Sequence, residues 1–390
     1  MRQVKVKLKK GGRSFIGRRE FYEREVVEGL TGCIPGQWVV VEAEGESQRL
    51  LGLANPMNSQ SAPIRILCPL GKEIPTPEEY IENCLKGALK KREGFKSLSE
   101  GKRLVFGDSD GLPGVIVDEY SNCILIQINT AGMDTYRALI KETLQKQRSK
   151  DAYFLDNEEY RKGEGLPLYD REEIPELEVA ENGIAYRVPK DILQKIGYYY
   201  DHRVNRRKLA QWIEDSTSEY KSGVDLFCYG GSWGLNALKA GVQEMTFIDQ
   251  GNLTECVEGN LKLNGWQERG RFERANVFDW LKNQDQTYDV VISDPPAFSK
   301  SLKNKSKALG GYQKLHRSLS QLVHKGSLLA IGSCTHGVSL EELDQTVKSA
   351  FSDTFFELQL LDVGVQGPDH PISHFSDGQN YIKFMLYRVL

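Results

Sequence analysis

Several things are missing from the sequence, and each absence closes off a class of function. No run approaches the roughly 20 consecutive apolar residues of a membrane-spanning helix, so no membrane partner is expected. Met1-Arg2-Gln3-Val4-Lys5 is charged with no apolar stretch behind it, which is not the pattern of a secretory leader. There is no Cys-x-x-Cys pair. The seven cysteines (Cys33, Cys68, Cys84, Cys123, Cys228, Cys256 and Cys334) are odd in number and scattered. That pattern argues against a disulfide framework and against structural zinc, and no metal site is expected. A cytoplasmic location fits, with most cysteines serving as small buried hydrophobes. Internal repeats and low-complexity tracts are absent. So is a strong excess of either charge: the net charge is −3, and composition alone does not announce a nucleic-acid binder.

What is present is an ordinary globular composition, 39% hydrophobic and 27% charged, in 390 residues. That length predicts two or three domains. The first 24 residues carry nine basic side chains (Arg2, Lys5, Lys7, Lys9, Lys10, Arg13, Arg18, Arg19, Arg24) against Glu20 and Glu23. Such a run is either a solvated face or a phosphate-facing patch. Short alternating segments at 4–8, 37–41, 49–54 and 64–67, with Pro35-Gly36 between, predict a small β-barrel over residues 1–70. Residues 71–190 read as a central α+β domain. A helix starts at Pro77 behind the N-cap Thr76, a second helix lies near 135–147, and strands lie at 114–118, 123–128 and, as a pair, 152–156 with 184–188. From residue 191 to 390 strands and helices alternate, which predicts an α/β domain with a doubly wound, mostly parallel sheet. Within it a helix is expected at 312–324, after a basic loop.

The residues that carry chemistry lie at the expected carboxyl ends of these strands. Val290-Val291-Ile292-Ser293 runs into Asp294, and Pro295-Pro296 stops any ladder or helix there, which braces the carboxylate at a ligand-facing rim. Gly230-Gly231-Ser232-Trp233-Gly234 follows the strand at 224–229 and opens a helix, as in a nucleotide-binding turn. It lacks the full G-x-G-x-x-G spacing, and no Gly-Lys-Ser/Thr follows, so neither a dinucleotide fingerprint nor a P-loop is present. Asp249 ends the next strand about 19 residues on, where a carboxylate suits ribose hydroxyls. Asn276, after the third strand, can accept from an adenine amine. Together these point to an adenosine-type cofactor. Cys334 follows the strand at 327–332, on the same rim as Asp294, and His336 lies two residues further on. Lys300, Lys303, Lys305 and Lys307 follow the Pro-Pro turn, with Arg203, Arg206, Arg207 and Lys208 on the other flank, a distribution suited to phosphate contacts.

These motifs resemble those of a known family. Residues 225–338 look like a class I S-adenosylmethionine-dependent methyltransferase. The whole chain resembles the RlmI-type family of bacterial large-subunit ribosomal RNA cytosine-5 methyltransferases. The matching stretches are SDGLPGVIVD (109–118), GYYYDHRVNR (197–206), DLFCYGGSWGLNAL (225–238), DPPAFSKS (294–301), SCTHG (333–337) and DHPI (369–372), in the family's order. The resemblance implies an N-terminal PUA domain, a central α+β domain and a Rossmann-like methyltransferase domain. It implies S-adenosyl-L-methionine as cofactor. Gln194 and the run Tyr198-Tyr199-Tyr200-Asp201-His202-Arg203 would line its methionine side, Asp249 would hold the ribose and Asn276 would sit by the adenine, with Phe227, Tyr229, Gly230, Gly231, Val277 and Asp294 as further cofactor-binding residues. The family usually has Gly where Ser232 stands and an acid where Asn276 stands.

The resemblance also implies that Cys334 is the nucleophile and Asp294 its catalytic partner. A thiolate adding to carbon 6 of cytosine makes carbon 5 nucleophilic and leaves by elimination. Many cytosine-5 RNA methyltransferases carry a second cysteine directly after the Pro of this turn; here that place is Ala297, so Cys334 acts alone. Arg18, Arg19, Lys300, Lys303 and Lys305 are the expected RNA contacts, ribosomal RNA the expected partner, and a homodimer a further expectation. Two alternatives stand beside this reading. One is a methyltransferase acting on guanine or another RNA nucleophile without a covalent intermediate, and the other an RNA-binding protein whose methyltransferase domain has decayed.

Overall fold

The computed structural model describes residues 1–8, 14–57, 62–98, 100–193, 197–299, 304–372 and 380–390. The chain divides into two compact units. One comprises Met1–Pro175 with Asp369–Gln379, the other Glu176–Pro368 with Asn380–Leu390.

The first unit holds a six-stranded, barrel-like sheet and a four-stranded sheet. The strand Gln37–Ala43 shows how they share a core. Successive side chains of a strand point to opposite faces. Val39 and Val41 accordingly join Val4, Phe15, Phe21 and Ile64 in one apolar cluster. Trp38 and Val40 join Ile81, Leu104, Val117 and Ile126 in another. The helix Pro77–Lys91 begins as its sequence requires: Thr76 Oγ1 accepts from Glu79 N, the Glu79 carboxylate accepts from Thr76 N, and Pro77 fills the first turn.

The SDGLPGVIVD stretch supports structure here. Arg92, 3% exposed, places all five guanidinium hydrogens: on the Arg103 and Ala88 carbonyls, on both oxygens of Asp110, and on the Asp369 carbonyl. Arg103 forks onto Asp118 at 2.9 Å twice, and its backbone N–H donates to Asp369 Oδ2. Ser109 Oγ donates to the Pro371 carbonyl. The DHPI residues 369–372 thus complete this unit, although the chain on either side of 369–379 belongs to the other.

Two expectations change. The segments at 152–156 and 184–188 do not pair: Ala152–Phe154 runs parallel to Ile124–Ile128, while Ile184–Val188 forms a hairpin with Leu177–Glu181 in the second unit. The Leu177–Glu181 strand, with two glutamates in five residues, is not conspicuous in sequence. The expected helix at 312–324 runs instead over Lys305–Leu319. Ala308, Tyr312, Leu315 and Leu319 make a helical apolar stripe that continues back through the lysines.

The second unit is a seven-stranded sheet in the order Gly270–Arg274, Glu244–Asp249, Ser222–Leu226, Val290–Ser293, Leu328–Ser333, Lys383–Val389, Leu358–Gly364. The first five are parallel, and Lys383–Val389 is antiparallel to both its neighbours. The α/β expectation for this region is met. The strand order reverses between Ser222–Leu226 and Val290–Ser293, and ligands in such sheets bind at that reversal, beyond the carboxyl ends of the strands.

Candidate active site

The glycine turn sits at the reversal. Gly231 takes φ +80° and caps the helix Ser232–Ala240. Phe227 and Tyr229 also have positive φ, 62° and 47°. Side-chain-bearing residues in that region carry local strain, which clusters at ligand-binding sites. Ser232 is not among the positive-φ residues, so serine there costs no backbone strain.

Asp249 closes the Glu244–Asp249 strand and accepts one backbone N–H on each oxygen, Tyr229 N at 3.2 Å and Gly251 N at 2.8 Å. A carboxylate oxygen accepts more than one hydrogen bond. The group is therefore fixed in place and still able to hold two hydroxyls. Asn276 is exposed and caps the helix Val277–Leu281: its Oδ1 accepts from Phe278 N and Asp279 N, and Nδ2 donates to Gln250 Oε1. The expected acceptor for an adenine amine is thus committed to the cap, and the amide N–H is the group it offers outward. Val277 is buried beside it, and Phe227, Phe278 and Phe298 form a run of rings 6.1 and 6.2 Å apart, an apolar wall of aromatic size. A fixed carboxylate for a ribose, an apolar wall for a base and a side-chain-free turn at Gly230-Gly231 fit an adenosyl group.

The methionine-side candidates are ordered mainly by one another. Asp201 accepts from Tyr381 Oη at 2.8 Å and from His202 N at 3.0 Å, and its carbonyl accepts from Gly367 N. Tyr199 is 44% exposed and packs edge-on against Tyr229, which lines the same turn. Arg203 is buried, stacks 4.6 Å over Tyr200 and reaches Glu181 at 4.0 Å. Glu181 itself is forked by Arg206 at 2.6 Å twice. Gln194 lies outside the described residues.

Asp294 lies next to the glycine helix. Trp233 Nε1 donates to its Oδ2 at 3.0 Å, and His202 Nε2 is 3.5 Å from Oδ1. The tautomer of His202 follows from its other nitrogen. Asn205 Nδ2 donates to the Val365 carbonyl and lies 3.1 Å from His202 Nδ1, and an amide nitrogen can only donate. Nδ1 therefore accepts, the proton sits on Nε2, and that N–H faces Asp294. The parallel register sets Ser293 opposite Ile331, which brings Asp294 beside Gly332. A Cβ on Gly332 would lie 2.5 Å from Asp294 Oδ1 and 2.9 Å from its Cγ. The glycine leaves the space the carboxylate occupies.

Cys334 is half-buried, two residues beyond Gly332. Its neighbours are pinned on both sides. Tyr312 Oη bonds Ser333 Oγ and Thr335 Oγ1 at 2.7 Å each, and Thr335 Oγ1 accepts from Phe298 N of the Pro-Pro turn. Burial pushes the Tyr312 phenol up to about 12, so it remains a neutral clamp. Lys383 Nζ donates to the Thr335 carbonyl at 2.7 Å. His336 is exposed and stacks on Tyr381. Trp233, Tyr312 and Lys383 are supports that sequence reasoning passed over, and His202, expected with its run on the methionine side of the cofactor, lies against Asp294. Trp233 alone carried a signal, an aromatic inside a glycine turn.

Arg18 donates to Glu25 at 2.8 Å and lies over Phe21, Arg19 reaches the Leu67 carbonyl, and Lys305 is ion-paired with Glu342 at 2.6 Å. Lys300 and Lys303 lie outside the described residues. Among the described residues no helix is long and apolar enough to cross a membrane.

The reversed parallel sheet, the strained glycine turn and the ribose-type acid define a Rossmann-like methyltransferase. Comparison with known proteins agrees. The family profile described as S-adenosylmethionine-dependent methyltransferase matches residues 141–371. Ribosomal RNA large subunit methyltransferase I of Pseudoalteromonas atlantica is 32% identical over 74% of this chain and 75% of its own length. The protein of the same name from Shewanella amazonensis is 29% identical over 99% of both chains. A solved structure from Streptococcus mutans, assigned as an S-adenosylmethionine-dependent methyltransferase, covers all of both chains at a TM-score of 0.75 and 19% identity. The chain belongs to the S-adenosylmethionine-dependent methyltransferase family, within its ribosomal RNA large subunit methyltransferase I group, and S-adenosyl-L-methionine is its cofactor.

Proposed function

We propose that this protein methylates carbon 5 of a cytosine in large-subunit ribosomal RNA, with Cys334 as covalent nucleophile. The names of its relatives support ribosomal RNA as substrate. The observation that carries the chemistry is the placement of Cys334 and Asp294 at adjacent strand ends, with Asp294 held by Trp233 and the residues on either side of Cys334 held by Tyr312.

Bound at the glycine turn, S-adenosylmethionine supplies an electrophilic methyl group. The chain's own residues do the rest. Asp249 would hold the ribose hydroxyls, with Phe227, Phe278 and Val277 enclosing the base. Asp294, oriented by Trp233 and His202, would hydrogen-bond the target base at its ring nitrogen. Cys334 sulfur would bond carbon 6, which loads electron density onto carbon 5, and would leave once the carbon 5 proton is lost. A base inside a folded RNA has to be flipped out to reach this rim. The N-terminal sheet, with Arg18 and Arg19, is proposed as a PUA-like RNA-binding module beside a central domain, and Lys305 as a phosphate contact of the catalytic domain.

The test is Cys334→Ala, assayed by transfer of labelled methyl groups to RNA and by calorimetric binding of S-adenosylmethionine. Transfer should vanish while binding persists. Full transfer by the variant would remove the covalent mechanism. Mass spectrometry of RNA from a deletion strain identifies the base, and loss of a methylguanine would favour the non-covalent alternative. Absence of cofactor binding by the wild type would favour a decayed enzyme.

A further inference from the structure

Among the described residues, Lys383 is a buried cation without a carboxylate partner. It is 7% exposed and starts the strand Lys383–Val389, whose register sets it opposite Ser333, the residue before Cys334. Its Nζ donates to two carbonyls, Thr335 O at 2.7 Å and Tyr381 O at 2.9 Å. An ammonium has three hydrogens to place. Among the described residues no carboxylate lies within ion-pairing distance of Nζ. Burying an ammonium against neutral carbonyls alone is costly, so a nearby anion is the feature that would make the arrangement favourable.

The group that supplies it is Cys334. Burial draws the Lys383 ammonium below the ordinary lysine value, and a negative charge on Cys334 opposes that shift. The other charged or titratable groups around the pair have fixed roles. Asp294, at the end of the neighbouring strand, is held by Trp233 and faces His202. Tyr312, from the helix Lys305–Leu319, is a neutral phenol spent on Ser333 and Thr335. Tyr381 is tied to Asp201, and His336 is stacked on Tyr381. A thiolate at Cys334 needs a nearby cation to favour it over the thiol. Among these groups Lys383 has the position to provide it.

We propose that Lys383 is a positioning residue that keeps Cys334 ionised. The Cys334 S–H bond breaks with its electron pair left on sulfur and its proton released to solvent, and the Lys383 ammonium, already protonated, balances the thiolate. When sulfur later leaves carbon 6, the same ammonium stabilises the departing thiolate. The inference rests on Cys334 being the nucleophile, and its test is chosen to be read without methyl transfer.

The full-length protein is alkylated with iodoacetamide from about pH 5 to about pH 10, without RNA, and the rate at Cys334 is followed by peptide mass spectrometry. The wild-type midpoint should lie below the ordinary 8.5. In Lys383→Met it should rise by about one unit or more, slowing the reaction at neutral pH by about tenfold, and Lys383→Arg should recover most of the rate. An unchanged midpoint in Lys383→Met, even with lower thermal stability, overturns the proposal. If Lys383→Met does not fold, the thiolate absorbance of wild type against Cys334→Ser decides: a midpoint at or above 8.5 overturns it. A Cys334→Ala enzyme that still transfers methyl groups would refute the nucleophile and leave the alkylation result intact, so the two failures are distinguishable.

Discussion

Replacing Gly332 by alanine is the sharpest probe of the site. The added Cβ would lie 2.5 Å from Asp294 Oδ1, 2.9 Å from Cγ and 3.2 Å from Cβ. The first contact could be relieved by rotating the carboxylate, but the other two involve atoms close to the Asp294 backbone. That backbone cannot retreat easily, because Pro295 and Pro296 follow it and Val290–Ser293 is hydrogen-bonded between two strands. The side chain must therefore turn away from Gly332 and give up the 3.0 Å bond from Trp233. Overpacking of this kind costs about 1–3 kcal/mol of stability. The effect on turnover should be larger in proportion, since a displacement of about 1 Å at a reacting centre can cost about 100-fold. Asp249 lies two strands away, so its contact with the ribose should hold and any change in cofactor affinity should come from Asp294 alone. The assay is kcat and KM for methyl transfer, with the dissociation constant of S-adenosylmethionine by calorimetry and Tm by scanning calorimetry. An enzyme with wild-type kcat would show that the position of Asp294 is not critical.

Two further outcomes are expected. Trp233→Phe keeps an aromatic ring against Phe384 but removes the N–H to Asp294, and should lower kcat about 5–10-fold while costing about 1.5–3 kcal/mol of stability, as hydrogen bonds to charged groups do; an unchanged kcat would remove Trp233 from the site. Asp225 is fully buried, and burial, with Asp294 and Asp249 nearby, raises its carboxyl to about 8 against an ordinary value near 3.9. A raised carboxyl contributes stability below the unfolded value and loses it as pH rises through the folded one, so wild-type Tm should fall relative to Asp225→Asn between about pH 4 and about pH 8. Parallel Tm curves across that window would contradict the assignment.

The fold of the catalytic half was legible because its signals are local. Val290–Ser293 ends at a Pro-Pro stop, the glycine turn follows a strand, and Asp249 lies one helix and one strand later. Cys334 was legible through its place after a strand. What was not legible is long-range. Lys383 sits in a run that reads simply as a strand, and only the antiparallel register with Leu328–Ser333 brings it to Thr335. His202 faces Asp294 through a separation of 92 residues that no periodicity encodes. The Leu177–Glu181 hairpin strand was missed because it carries two acids, of which Glu178 faces outward and Glu181 is buried only through its pairing with Arg206, a partner 25 residues away. Asn276 was noticed, but its capping role competes with the ligand role expected for it.

The segment 369–372 bears on how the chain is made. Asp369 completes the shells of Arg92 and Arg103, and its bond to Arg103 spans 266 residues. A ribosome adding about 5–20 residues per second needs on the order of tens of seconds to travel that far. For that interval the nascent N-terminal unit carries two buried-type arginines with one acceptor still unsynthesised, so it can be compact but not finished. Its last contacts form only once residues 369–372 have been made, after six of the seven strands of the catalytic sheet, which ties completion of the first unit to translation of that sheet.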